Sequence, residues 1–159
     1  DAIATLTGIV YIVLFPYFIV LIDGTKYRQL TWLVLIAAFG ADIMAYFTGM
    51  AIGKHKMAPN LSPKKTIEGA VGGLIGSALF SALFGYFVMP EIVVKCAIIG
   101  AIGGAVSMAG DLTASAFKRQ MGIKDYGNLI PGHGGILDRF DSVLFVAPFV
   151  YYFSVFVLQ

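Results

Sequence analysis

Charge is scarce in this chain. Asp, Glu, Lys and Arg together make up 13% of its 159 residues, and they balance to a net charge of +2. So small a positive excess excludes the electrostatic footprint of a nucleic-acid-binding protein. The few basic residues cluster beside apolar runs, where anionic lipid or a phosphate is the fitting partner. Cysteine is nearly absent: Cys96 is the single one and lies inside an apolar run, so no disulfide framework can form within the chain. No basic segment precedes the first apolar run, which begins directly after Asp1, so no signal peptide is visible.

What the chain has instead is apolar side chain, 58% of all residues, with a mean hydropathy of +0.85. That is more than a small soluble core hides, and it predicts a membrane protein. Cutting the sequence at its polar clusters leaves runs of the roughly 20 residues a spanning helix needs. They are Ala2 to Ile22, Leu30 to Ile52, Thr66 to Met89, Ile92 to Phe117 and Gly135 to Leu158. The expected fold class is therefore all-α, a polytopic helical bundle of about five transmembrane helices. Pro16 and Pro148 are expected to kink the first and last runs. The first run otherwise reads as scaffold, and the polar turn from Asp23 to Gln29 carries no assigned chemistry.

Several polar residues sit where apolar ones are expected. Asp42 lies deep in the second run, where a carboxylate must face protein, water or a cation; a site role and a hydrogen-bonded structural role both stand open. The stretch from Gly53 to Lys65 is too basic and too rich in turn formers for lipid, so it reads as a loop at the membrane face. Ser62 before Pro63 predicts a helix start, with the hydroxyl as cap and proline at the first helical position. Free amides there, with Lys64 and Lys65, favour an anion, although a lysine pair at a helix end more often reflects the positive-inside rule. Gly69, Gly72, Gly73 and Gly76, then Gly100, Gly103, Gly104 and Gly110, permit close helix packing, against this chain or another copy. Pro90 and Glu91 make an outer turn.

The densest polar stretch is Ser115 to Asp141, between two apolar runs. Lys118, Arg119 and Lys124 offer charge to an anion, and Asp125, Asp138 and Asp141 offer hard oxygen ligands. The turn Pro131-Gly132-His133-Gly134-Gly135 lets backbone approach closely. Asp111 just ahead of it is a candidate metal ligand. Asp138 and Asp141 share a helix face and need a cation, for which Arg139 is one source and a divalent metal the more natural one.

This pattern resembles the signature of the phosphatidate cytidylyltransferase (CDP-diacylglycerol synthase) family. The match runs through Ser115, Lys118, Arg119, Lys124, Asp125, Pro131, His133, Gly134, Gly135, Asp138, Arg139 and Asp141 with the spacing intact, and Ser62 to Gly69 resembles a second recurring stretch of that family. The resemblance implies that the chain is a carboxy-terminal membrane catalytic domain, preceded by further helices. It implies transfer of the cytidylyl group of CTP to phosphatidate, in a homodimer, with magnesium as cofactor. Asp111 and Asp138 would be its main ligands, with Asp141 and Asp42 as auxiliary cation groups. Lys118, Arg119, Lys124 and Arg139 would hold phosphates, and Asp125 would be a further catalytic residue. Ser62, Lys64, Lys65, Glu68, Ser115, Gly134 and Gly135 would border the substrates. His133 would either donate to a phosphate or fix the glycine turn. The sequence does not choose between magnesium and manganese, nor exclude an additional monovalent cation.

Lys54, Lys56, Lys64, Lys65, Lys118, Arg119, Lys124 and Arg139 fall on one face of a five-helix arrangement, and Lys26, Arg28 and Lys95 on the other. The first face is expected to be cytoplasmic, in a bacterial inner membrane or its equivalent. Two alternatives share some of these features: another CTP-dependent lipid kinase, such as a polyprenol kinase, and a cation channel or transporter. The dense basic motif argues against a cation pathway.

Overall fold

The computed structural model describes residues 2–127 and 134–158. Five helical segments in it are long and apolar enough to cross a membrane: Thr5–Asp23, Leu30–Ile52, Ile67–Val88, Pro90–Gln120 and Leu137–Val157. The expected all-α bundle is thus what the chain forms, as an integral membrane protein. The only sheet among the described residues is a two-stranded ribbon.

The first span is not a uniform helix. α1 (Ala2–Gly8) passes into a π-helical turn (Ile9–Leu14), and α2 (Phe15–Asp23) resumes with Pro16 in its first turn. Proline brings no N–H, so the ladder cannot continue unchanged into it. The irregularity expected at Pro16 takes the form of this widened turn. α3 (Leu30–Ile52) ends at Gly53. Strands β1 (Lys56–Ala58) and β2 (Ser62–Thr66) then pair antiparallel, joined by a turn in which Leu61 N donates to Ala58 O at 3.2 Å. Pro59 presets the second position of that turn.

The helix expected from Pro63 starts four residues later, a correction to the local reading. α4 (Ile67–Val88) is capped by Thr66, whose hydroxyl accepts from Gly69 N at 3.1 Å. Pro63 is instead a strand residue of a two-stranded ribbon, whose outer edges have no partner strand and so need no N–H from proline. The reason is tertiary. Glu68 reaches back, accepting from Lys54 N at 3.1 Å and His55 N at 3.2 Å, with His55 Nδ1 at 2.6 Å. This closes the base of the hairpin and holds Ser62 to Thr66 extended.

α5 (Val93–Gln120) follows a 3-10 turn (Pro90–Ile92), and α6 (Leu137–Val157) runs unbroken through Pro148. α4 packs along α3 and α5, while α6 packs against α5, α2 and α3. Small residues make these approaches possible, and their partners lie in the same chain. A side-chain carbon at Gly73 would stand 2.8 Å from Ala41 O, and one at Gly103 would stand 3.2 Å from Ala37 Cβ. Buried Ser77 places Oγ 2.9 Å from Ala37 O and 2.8 Å from Gly100 O, sharing its one proton between α3 and α5. Such bonds in lipid are worth about 0.6–2 kcal/mol each. The buried core gathers Ile22, Leu30, Leu33, Val34, Ile99, Val146 and Val150, and the outer surface carries exposed Trp32, Tyr46, Phe87 and Phe156, as a lipid-facing surface does.

The two ends of the bundle differ. At one, Lys95 Nζ donates to Val157 O at 3.0 Å, closing the end of α6, with Lys26 nearby beside Ser154. At the other meet the C-terminal ends of α3 and α5, the N-terminal ends of α4 and α6, and the hairpin. The polar candidates collect there.

Candidate active site

α5 ends in a way that aims its last residues. Gly122, at φ +69°, donates to Arg119 O at 3.1 Å, and Ile123 N donates to Lys118 O at 2.9 Å. This paired closure around a left-handed glycine is a Schellman motif. It turns the chain back so that Lys124, Asp125 and Tyr126 return toward Lys118.

Asp138, at the start of α6, fastens that return. Its Oδ2 accepts from Tyr126 N at 2.8 Å and Gly135 N at 2.9 Å, and its Oδ1 accepts from Lys118 Nζ at 2.8 Å. The two side chains are 5% and 12% exposed, so the pair is largely desolvated. The Lys118 ammonium also stands 5.3 Å from the centre of the Tyr126 ring. Burial pushes the Tyr126 phenol up from its ordinary pKa, with Lys118 pulling the other way, and its hydroxyl donates to Ala114 O at 3.3 Å. Gly134 has φ +79°, and a side-chain carbon there would stand 2.9 Å from Asp138 Oδ2. Both facts demand glycine. Pro131, Gly132 and His133 lie outside the described residues.

Two cavities adjoin at this end. One, of about 370 Å³, is lined by Asp42 of α3, Asp111 of α5 and Ser62, Lys64 and Lys65 of β2, with apolar walls from Tyr46, Met50, Met57 and Met108. The other, of about 400 Å³, is lined by Ser62, Lys64, Ser115, Lys118, Arg119, Lys124 and Asp125. Strand β2 divides them, and Ser62 and Lys64 border both. Alternation along the strand sends Lys65 the opposite way from Lys64, into an ion pair with Asp111.

The acids form a group around Asp111. Ser115 Oγ lies 3.5 Å from Asp111 Oδ1. Ser142 Oγ donates to Asp42 Oδ2 at 3.2 Å, and its N–H donates to Asp141 Oδ1 at 2.8 Å. Ser142 thereby joins the carboxylates of α3 and α6. Asp42 and Asp111 line one cavity, and Ser142 ties Asp141 to Asp42.

Among the described residues no three His, Cys, Asp or Glu side chains converge into a closed metal cage. Magnesium does not need one: it is commonly held by one or two carboxylates, with substrate phosphates and water completing the shell. Asp42 and Asp111 on one cavity, with Asp141 behind, fit that requirement. Asp138 accepts from three protein donors. Glu68 is also occupied elsewhere, in the hairpin clamp, and lines neither cavity.

Sequence reasoning missed Tyr126, Ser142 and Thr66. Gly122 after a basic helix end was a readable sign of the turn that delivers Tyr126. Ser142 and Thr66 gave no sign above ordinary helix composition.

Fold and site together define a polytopic membrane protein with acids and lysines gathered around paired cavities at one end of its bundle. The chain belongs to the cytidylyltransferase family, whose sequence model matches residues 1–157. It is 46% identical to the phosphatidate cytidylyltransferase of Synechocystis sp. over 131 residues, 79% of this chain and 44% of that protein. Identity to the protein of that name in Pseudomonas aeruginosa is 50% over 119 residues, covering 72% and 43%. For Bacillus subtilis it is 39% over 151 residues, covering 93% and 56%. The chain spans about half the length of the curated relatives it matches.

Proposed function

We propose that this chain carries the centre that transfers the cytidylyl group of CTP to phosphatidate, giving CDP-diacylglycerol and pyrophosphate for phospholipid synthesis. The observation that carries the reading is the pair of cavities bordered in common by Ser62 and Lys64, one with Asp42, Asp111, Lys64 and Lys65 set among apolar walls, the other predominantly basic. A triphosphate suits the basic cavity. A lipid phosphate suits the other, whose Tyr46 and Met50 are exposed on the bundle surface.

In this reading an oxygen of the lipid phosphate attacks the α-phosphorus of CTP, and the bond to the β-phosphate oxygen breaks. A phosphate monoester has its second pKa near 6, so the nucleophile is already anionic and no strong base is required. The task is to bring two anions together and to stabilise the leaving pyrophosphate. Lys64, at the divide, is placed for both substrates. Lys118, Arg119 and Lys124 take up charge on the leaving group; Lys118 keeps donors for this because an ammonium has three protons and Asp138 takes one. Asp138 orients Lys118. Asp111, with Asp42 and Asp141, would hold magnesium, which when bound would supply charge neutralisation and Lewis-acid polarisation at the phosphates. Manganese and an additional monovalent cation are compatible with the same oxygen donors. The hairpin end faces the cytoplasm, and the protein assembles as a homodimer in the bilayer.

No relative reported above is named as a kinase or a cation pathway. Labelled CTP separates the readings: α-phosphate label should enter lipid while γ-phosphate label leaves as pyrophosphate. Entry of γ-label into lipid would mark a kinase.

A further inference from the structure

Lys65 lines the cavity of about 370 Å³, and its ammonium is paired with Asp111, the carboxylate assigned to the cation. The pair is sheltered, with the two side chains 23% and 26% exposed. The ammonium nitrogen itself is buried, and beyond the ion pair it has no hydrogen-bond partner among the described residues. An ammonium carries three donors, so much of its capacity is unserved, which is costly away from water. The backbone beneath it is fixed, because Thr66 caps α4 and Glu68 clamps the base of the hairpin. A change of partner is therefore made by the flexible side chain alone.

Charge decides what the second partner is. The charged side chains on this cavity are Asp42, Asp111, Lys64 and Lys65, two of each sign, and they cancel. A divalent cation added among them leaves two positive charges in surplus, and a phosphate monoester, at about −1.5 to −2, matches that surplus. Cation and ammonium also compete for one atom. Asp111 Oδ2 is the oxygen paired with Lys65, while Oδ1 lies toward Ser115.

We propose that Lys65 is an exchangeable counter-ion, giving up Asp111 to a divalent cation and turning to the lipid phosphate. This rests on the cation site and the lipid cavity assigned under the proposed function. Loading of the cation and of the lipid are then coupled, each favouring the other.

Thermal unfolding of the full protein in detergent, without nucleotide, is followed first against magnesium and then, at saturating magnesium, against short-chain phosphatidate. Lys65→Met should reach half of the magnesium stabilisation at about tenfold less magnesium, the worth of one sheltered ion pair. It should need about tenfold more phosphatidate for half of the lipid stabilisation. Lys65→Arg keeps the charge but grips a carboxylate with two parallel donors, so it should need about threefold more magnesium than the parent; it also carries the test if Lys65→Met does not fold. Lys124→Met, in the other cavity, should leave both midpoints unmoved. Simple repulsion between lysine and cation predicts no change in Lys65→Arg, and a fixed structural pair predicts an unmoved phosphatidate midpoint in Lys65→Met. Either result overturns the exchange, as does an equal magnesium shift in Lys124→Met. A parent that magnesium does not stabilise overturns it together with the cation site. If the parent makes no CDP-lipid while the midpoints move as stated, the proposed reaction fails and the exchange stands.

Discussion

At the scale of single residues, the central relation is between Lys118 and Asp138. Asp138 gathers the Tyr126 amide, the Gly135 amide and the Lys118 ammonium onto one carboxylate. Removing one member of a desolvated pair leaves the other charge uncompensated, at about 3–5 kcal/mol. Lys118→Met should therefore destabilise by about that amount, and adding Asp138→Asn should recover part of the stability without recovering turnover. Thermal unfolding beside a CDP-lipid assay checks both. Residues of this kind were only partly legible. Asp42 stood out because a carboxylate inside an apolar run is expensive wherever it points. Ser142 was silent, since joining Asp42 to Asp141 depends on α3 meeting α6.

At the scale of elements, the spans followed from hydropathy and length, with ends read to within a few residues. The second, Leu30–Ile52, matches at both ends. The start of α4 was misread because Ser62-Pro63 is a sound local cap, while the competing hairpin depends on Glu68 meeting Lys54 and His55. The glycines were legible as packing residues, but only the structure assigns their partners. Gly134 is the position where a turn depends most directly on glycine. Gly134→Ala places a side-chain carbon at φ +79° and 2.9 Å from Asp138 Oδ2. A stability loss of about 1–3 kcal/mol is expected from strain of this kind, with turnover falling further as Lys118 loses its fixed partner. Retention of full activity by that variant would detach the glycine turn from the site.

At the scale of the whole molecule, the two ends of the bundle carry unequal positive charge. Lys54, Lys56, Lys64, Lys65, Lys118, Arg119 and Lys124 gather at the cavity end, opposite Lys26 and Lys95, and the positive-inside rule predicts from this that the cavity end lies on the cytoplasmic side. Cysteine placed at Asn60 should react with an impermeant maleimide only from the cytoplasmic side, and cysteine at Glu91 only from the other; buried Cys96 should stay silent. The reverse pattern would put the cavities away from CTP. The measurement that bears most directly on the central claim is incubation of the full-length protein with α-labelled CTP, phosphatidate and magnesium, with and without chelator, followed by lipid extraction. A lipid-soluble cytidine product that disappears with chelator and returns with excess magnesium is the predicted result. Label that stays in the aqueous phase under every condition, or product formation unaffected by chelator, would contradict it.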